Sequence, residues 1–135
     1  MQQIHQIQLR VAAFAATNPG TSHTAQTTND TGAPIYVIGG WVWMGASKDG
    51  FGDIPVQVRN LTTGDDYLIT NVDRYANPPG IADNIMEFPG MNGNYYLVNP
   101  GDVLELLVNG TGPYGPSTAL EVAASCWINY VLEQP

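Results

Sequence analysis

The chain is expected to fold as an all-β protein: an antiparallel β-sandwich of about seven or eight strands, jelly-roll-like in its connections. Three observations lead there. Charged residues make up only 12% of the 135 residues, about half the roughly 25% usual in soluble domains. Glycine (15) and proline (10) punctuate the chain at short intervals. The apolar residues between those breaks recur with period two, the repeat of a strand with one buried face.

Residues 4–14 open the series, with Ile7, Leu9, Val11 and Ala13 alternating with Gln6, Gln8 and Arg10. Residues 15–32 then offer almost nothing to bury, so a long polar loop or arm is expected there. With no aliphatic side chain larger than alanine and no aromatic, it cannot offset a backbone ordering cost of roughly 1–2 kcal/mol per residue. It should therefore be mobile in the free protein and order only against a neighbour. Residues 34–45 form a second strand that is apolar on both sides. Plain alternation puts Ile35, Val37, Trp41 and Trp43 on one face and Tyr36, Ile38, Val42 and Met44 on the other. The Gly39–Gly40 pair marks a bulge or a close backbone approach.

A strand with two apolar faces needs two covers. In a sandwich of this size the second cover is expected to be another subunit, with Tyr36, Ile38, Trp41, Val42, Trp43 and Met44 at the contact. Residues 54–60 and 67–72 read as a hairpin about the turn Thr62-Thr63-Gly64-Asp65, with Ile54, Val56 and Val58 inward. Residues 73–94 look irregular: Pro78, Pro79 and Pro89 argue against a central strand, and residues 81–88 have room for a helical turn. A short strand at 95–98 leads into the tight turn Asn99-Pro100-Gly101-Asp102. Residues 103–109 follow with Leu104, Leu106 and Val108 inward, and a Gly/Pro loop covers 110–117.

Residues 119–133 are the longest and cleanest strand, and the expected centre of the fold. Leu120, Val122, Ala124, Cys126, Ile128, Tyr130 and Leu132 fall on one face, and Glu121, Ser125, Asn129 and Glu133 on the other. Trp127 shares that polar face, an unusual place for an indole. The run is expected to bend near 123–125 and to serve two partners in turn. One domain, 1–135, accounts for the length.

The formal net charge is −8, with twelve acids against four bases, so nucleic acid and an anionic membrane surface are not expected partners. The single cysteine, Cys126, is read as a buried structural thiol. The first twenty residues show neither the basic opening nor the long apolar middle of a secretory leader, so cytoplasmic synthesis is expected. The Asn-x-Thr triplets at Asn29, Asn60 and Asn109 are then read as products of a Thr/Asn-rich composition.

Chemistry is thin. His5 and His23 lie outside any motif and are read as solvent-facing. Asp49 and Asp53 share a glycine-rich loop, and Asp65 and Asp66 a turn, but neither spacing is that of an EF-hand. No catalytic, cofactor or metal site is expected, and a small jelly-roll hydrolase ranks last among the function classes. The aromatic loop residues Tyr75, Tyr114 and Phe51, with Asp49, are the candidate contacts for a glycan.

Thr28-Asn29-Asp30-Thr31-Gly32-Ala33-Pro34-Ile35-Tyr36-Val37 resembles the entry strand of small β-sandwich modules in tailed-bacteriophage head-auxiliary and fibre proteins. Val98-Asn99-Pro100-Gly101-Asp102 resembles the turn those modules carry before a late strand, and Trp127 with Glu133 resembles their closing strand. What the resemblance implies is a non-enzymatic virion protein, often trimeric, on the capsid surface. The expected function is thus a bacteriophage capsid decoration or cement protein, a homo-oligomer (a trimer) bound to capsid or other virion proteins. The alternative is a tail or fibre adhesin for host surface glycans.

Overall fold

The computed structural model describes residues 2–15, 21–46, 53–73, 82–90, 95–110 and 121–135. They form nine strands: β1 (His5–Ala15), β2 (Thr21–Thr28), β3 (Ile35–Ala46), β4 (Asp53–Asn60), β5 (Asp66–Asp73), β6 (Ala82–Pro89), β7 (Tyr96–Val98), β8 (Val103–Gly110) and β9 (Glu121–Val131). The first sheet runs β1-β9-β3-β6, with β7 also paired to β3, and the second runs β2-β8-β4-β5. Every pairing is antiparallel.

The pairing is nested. β4 joins β5, β3 joins β6, β2 joins β8 and β1 joins β9, so the chain folds as one long hairpin that is then wrapped into two layers. That is jelly-roll connectivity, with β7 added beyond the end of β6. The inner faces supply the core. Val42, Met44, Ala124, Cys126 and Ile128 come from the first sheet, and Ile54, Val56, Val58, Leu104, Leu106 and Val108 from the second, all buried. The expected inward sets of residues 54–60 and 103–109 are as found. An aromatic contact closes each open side between the layers. Phe14 of β1 stacks on His23 of β2 at 3.7 Å. On the opposite side Tyr67 of β5 packs on Tyr96 of β7, 4.3 Å between ring centroids, and on Phe88 of β6.

Several expectations are corrected. Residues 21–28 of the polar stretch are strand β2, laid along β8 in eight consecutive pairs, so this segment is ordered within its own fold rather than waiting for a neighbour. The leucines of β8 supply the apolar surface that β2 lacks. Residues 82–89 are strand β6, not a helical turn; as an edge strand it tolerates Pro89 at its end. β9 is central as expected, but it lies between β1 and β3 along its length rather than serving them in turn. Ala13 is exposed because the register of β1 shifts between Val11 and Phe14, which turns Phe14 inward instead. His23 is half-buried on the inner face of β2, and His5 stacks on Tyr130, so neither ring is simply solvent-facing.

One end of the sandwich is tied by buried polar groups. Asn29 accepts from the amide and hydroxyl of Thr31 and donates to the carbonyls of Ala33 and Val98. Asn60 repeats the device: its Oδ1 accepts from the amides of Thr62 and Thr63, and its Nδ2 donates to Asp102. Asp102 also accepts from the amide of Asn99, closing the expected turn, where Gly101 has a φ of 88°. Two of the three Asn-x-Thr triplets are therefore strand-end corners in which the side-chain amide is already engaged.

Candidate functional site

The phase of β3 decides what the outer face of the first sheet carries. Val37 pairs with Tyr130 and Gly39 with Asn129, so Ile38 is an extra residue in the ladder. That bulge reverses the alternation. Before it, Ile35 and Val37 point inward; after it, Val42 and Met44 do. Trp41 and Trp43 are thereby turned out of the core, onto the face that Tyr36 shares. Val42 and Met44, expected at a subunit contact, are fully buried inside the sandwich and leave the candidate interface.

The glycine pair makes the bulge possible. Gly39 has a φ of 148°, which side chains other than glycine's rarely adopt. At Gly40 a Cβ would collide with the carbonyl oxygen of Trp127 and the ring of Phe88. Gly40 faces inward beside Ile128, and Phe88, its partner on β6, lays its ring where a side chain would have been.

Four neighbouring strands then set a row of side chains across the outer face. Gln8, Trp127, Trp41 and Glu87 are successive cross-strand partners from β1 to β6. The next row is Arg10, Ser125, Trp43 and Ile85. The Trp41 and Trp127 indoles stack at 3.9 Å between centroids, with 13° between their planes. Trp127 thus stands on the polar face of β9, as its position in the sequence required. Ile85 is 66% exposed, and Leu97, paired with Tyr36 on β7, is 42% exposed. Beside the stack lies a shallow open depression of about 510 Å3, lined by Gly40, Trp41, Glu87, Phe88, Pro89 and Asn129. Asn129 is held from below by Gln6, whose amide donates to its Oδ1.

The outer face of the second sheet is different in kind. Glu105 of β8 is buried there, gripped by the Arg59 guanidinium at 2.8 and 2.9 Å and by the amide of Gln26. Its neighbours bridge three strands and neutralise it, which is a structural role.

Of the sequence-predicted site residues, Tyr36, Ile38, Trp41 and Trp43 are half-buried, neither sealed in the core nor fully open. Tyr75, Tyr114, Phe51 and Asp49, the glycan candidates, lie outside the described residues. Sequence reading missed Ile85, Glu87 and Leu97 as members of the patch. Their strands are short or proline-bearing, and only pairing with β3 brings Glu87 beside Trp41, Ile85 beside Trp43 and Leu97 beside Tyr36. Cys126 lies at the centre of the core, and burial pushes its thiol up to about 12. Among the described residues no three His, Cys, Asp or Glu side chains cluster as a metal site would need.

No protein-family model and no curated protein matches the chain. Among solved structures it resembles that of the infectious bursal disease virus Gx strain, with a TM-score of 0.51 and 13% identity over 96% of this chain and 32% of that one. It resembles equally the crystal structure of an aminopeptidase from the marine sediment archaeon Thaumarchaeota archaeon, with a TM-score of 0.51 and 10% identity over 83% of this chain and 26% of that one. The chain spans a third or less of the length of these two proteins. At such identities, what it shares with them is the sandwich fold.

Proposed function

We propose that the chain is a structural protein of a virus particle, in the narrower form a bacteriophage capsid decoration or cement protein, rather than an enzyme. The observation that carries this reading is the outer face of the first sheet. Trp41, Trp43, Trp127 and Ile85 form an aromatic and aliphatic patch there, with Tyr36 and Leu97 further along β3 and β7, whereas the other exposed large apolar residues, Ile4, Leu61, Ile69 and Leu132, stand without a tryptophan as cross-strand partner. A patch of this composition fits a contact with a neighbouring subunit, since tryptophan and tyrosine are the residues most enriched where proteins bind one another. The likeness to a virus structure supports the choice of setting, and the resemblance of residues 28–37 and 98–102 to phage modules supports the narrower form. A homotrimer is the closed assembly that resemblance implies.

Light scattering of the purified protein at micromolar concentration tests the contact. Trp43 is the residue to change, because it stands outside the Trp41–Trp127 stack. Trp43→Lys should lower the assembled mass with little change in melting temperature. An unchanged mass would remove this face from the assembly. The particle itself is tested by mass spectrometry of purified virions from the source, which should contain the chain.

A second reading is favoured by one observation, the depression beside Trp41. An indole flanked by the Glu87 carboxylate and the Asn129 amide is the furniture of a sugar-binding site, which is the adhesin alternative. A glycan array separates the two. Selective binding lost in Trp41→Ala while assembly persists would select the adhesin.

A further inference from the structure

Besides β7, which is only three residues long, four strands lie at the sheet edges, and they are not equally defended. An edge strand presents a row of unpaired amide and carbonyl groups, and soluble proteins protect it with charge, proline or a bulge. β1 carries Arg10 and a register shift between Val11 and Phe14. β6 carries Asp83, Glu87 and Pro89. β5 has an aspartate at each end, Asp66 and Asp73, and a register shift beside Asp66. β2, with the sequence TSHTAQTT, has no acid, lysine, arginine or proline, and pairs with β8 without a single shift. It lies at the end of the second sheet, with β8 as its one strand partner among the described residues.

We infer that β2 is a self-association edge, on which β2 of a second copy pairs antiparallel to join two second sheets into one. Charge argues for a second copy as the occupant. The chain carries a net charge of −8, so two copies repel, and the repulsion costs least where the surfaces that meet carry no charge. Self-pairing of β5 would bring Asp66 of each copy towards Asp73 of the other, and self-pairing of β6 would face acids with acids. β2 meets no such penalty. The nearest acid on its sheet, Glu105, is already neutralised by Arg59. The exposed side chains of β2 are Ser22, Thr24, Gln26 and Thr28, short or polar groups that suit cross-strand pairing on an open surface. Two identical strands meeting antiparallel make an isologous contact, which closes at two copies. This contact is separate from the tryptophan face, and it stands or fails in the isolated protein whatever particle the chain belongs to.

The test uses Thr24, an exposed residue at the middle of β2, in the Trp43→Lys background that removes the face contact. Sedimentation equilibrium of that parent should show a dimer at micromolar concentration. Thr24→Lys and Thr24→Asp should each weaken it roughly tenfold, because either sign sets like charges across the two-fold axis. An equimolar mixture of the two variants should recover the parent's affinity, since lysine then faces aspartate. Circular dichroism melts confirm that both variants stay folded. A monomeric parent, a response to only one sign of charge, or a mixture no tighter than its components would each overturn the proposal.

Discussion

At the residue scale, the positions most sensitive to change are polar or bare rather than large. Asn60 is fully buried, and its side chain serves two backbone amides and Asp102. Asn60→Ala strands those partners away from water, and we expect a loss of about 2–3 kcal/mol in urea unfolding. Gly40→Ala drives a methyl group into the backbone of β9, where nothing can rotate aside. The expected loss is about 3 kcal/mol, seen as a lowered unfolding midpoint. Cys126 is the opposite case. With burial holding its thiol up to about 12, it should stay unreacted with Ellman's reagent at pH 8 until urea unfolds the chain. Rapid labelling of the folded protein would mean that the core around β9 opens readily.

Strands declare themselves in sequence to the extent that their two faces differ. β9, β8 and the β4–β5 hairpin alternate apolar with polar residues, so their existence was legible, as were the inward sets of β4 and β8 and that of β9 as far as Ile128; at its end the phase fails, with Val131 buried and Leu132 exposed. β2 was not, because threonine, serine and glutamine occupy both of its faces and its order comes from the apolar surface of β8. β3 failed for the converse reason. Both of its faces are apolar, so composition carries no phase, and one extra residue at Ile38 exchanges the faces beyond it. The Gly39–Gly40 pair announced a bulge without saying which tryptophans it would turn outward. Trp127, on an alternating strand, was placed correctly from sequence alone. Half of the candidate site was therefore readable, and the half supplied by β6 and β7 depended on pairing partners. The Trp41–Trp127 stack is the element-scale prediction: a double-mutant cycle to alanine should give a coupling of about 0.5–1.5 kcal/mol beyond the two single losses. Additive losses would mean that the rings are merely adjacent.

For the whole molecule, nested pairing has a consequence for how the surface is used. Both termini belong to the first sheet, where β1 pairs β9 and Gln2 exchanges hydrogen bonds with the backbone of Glu133. The core is complete within one copy, so the tryptophan patch is not a missing piece of that core. It is half-buried surface on the outer face of the first sheet, with Ile85 left exposed beside Trp43. A neighbouring subunit is expected to cover this face. Light scattering of the unmodified protein at micromolar concentration tests it most directly, with Trp43→Lys measured alongside. The expected result is an assembled mass that is a multiple of the 14.5 kDa chain and falls in the variant. A clean 14.5 kDa monomer, or a variant that assembles as the unmodified protein does, would contradict it.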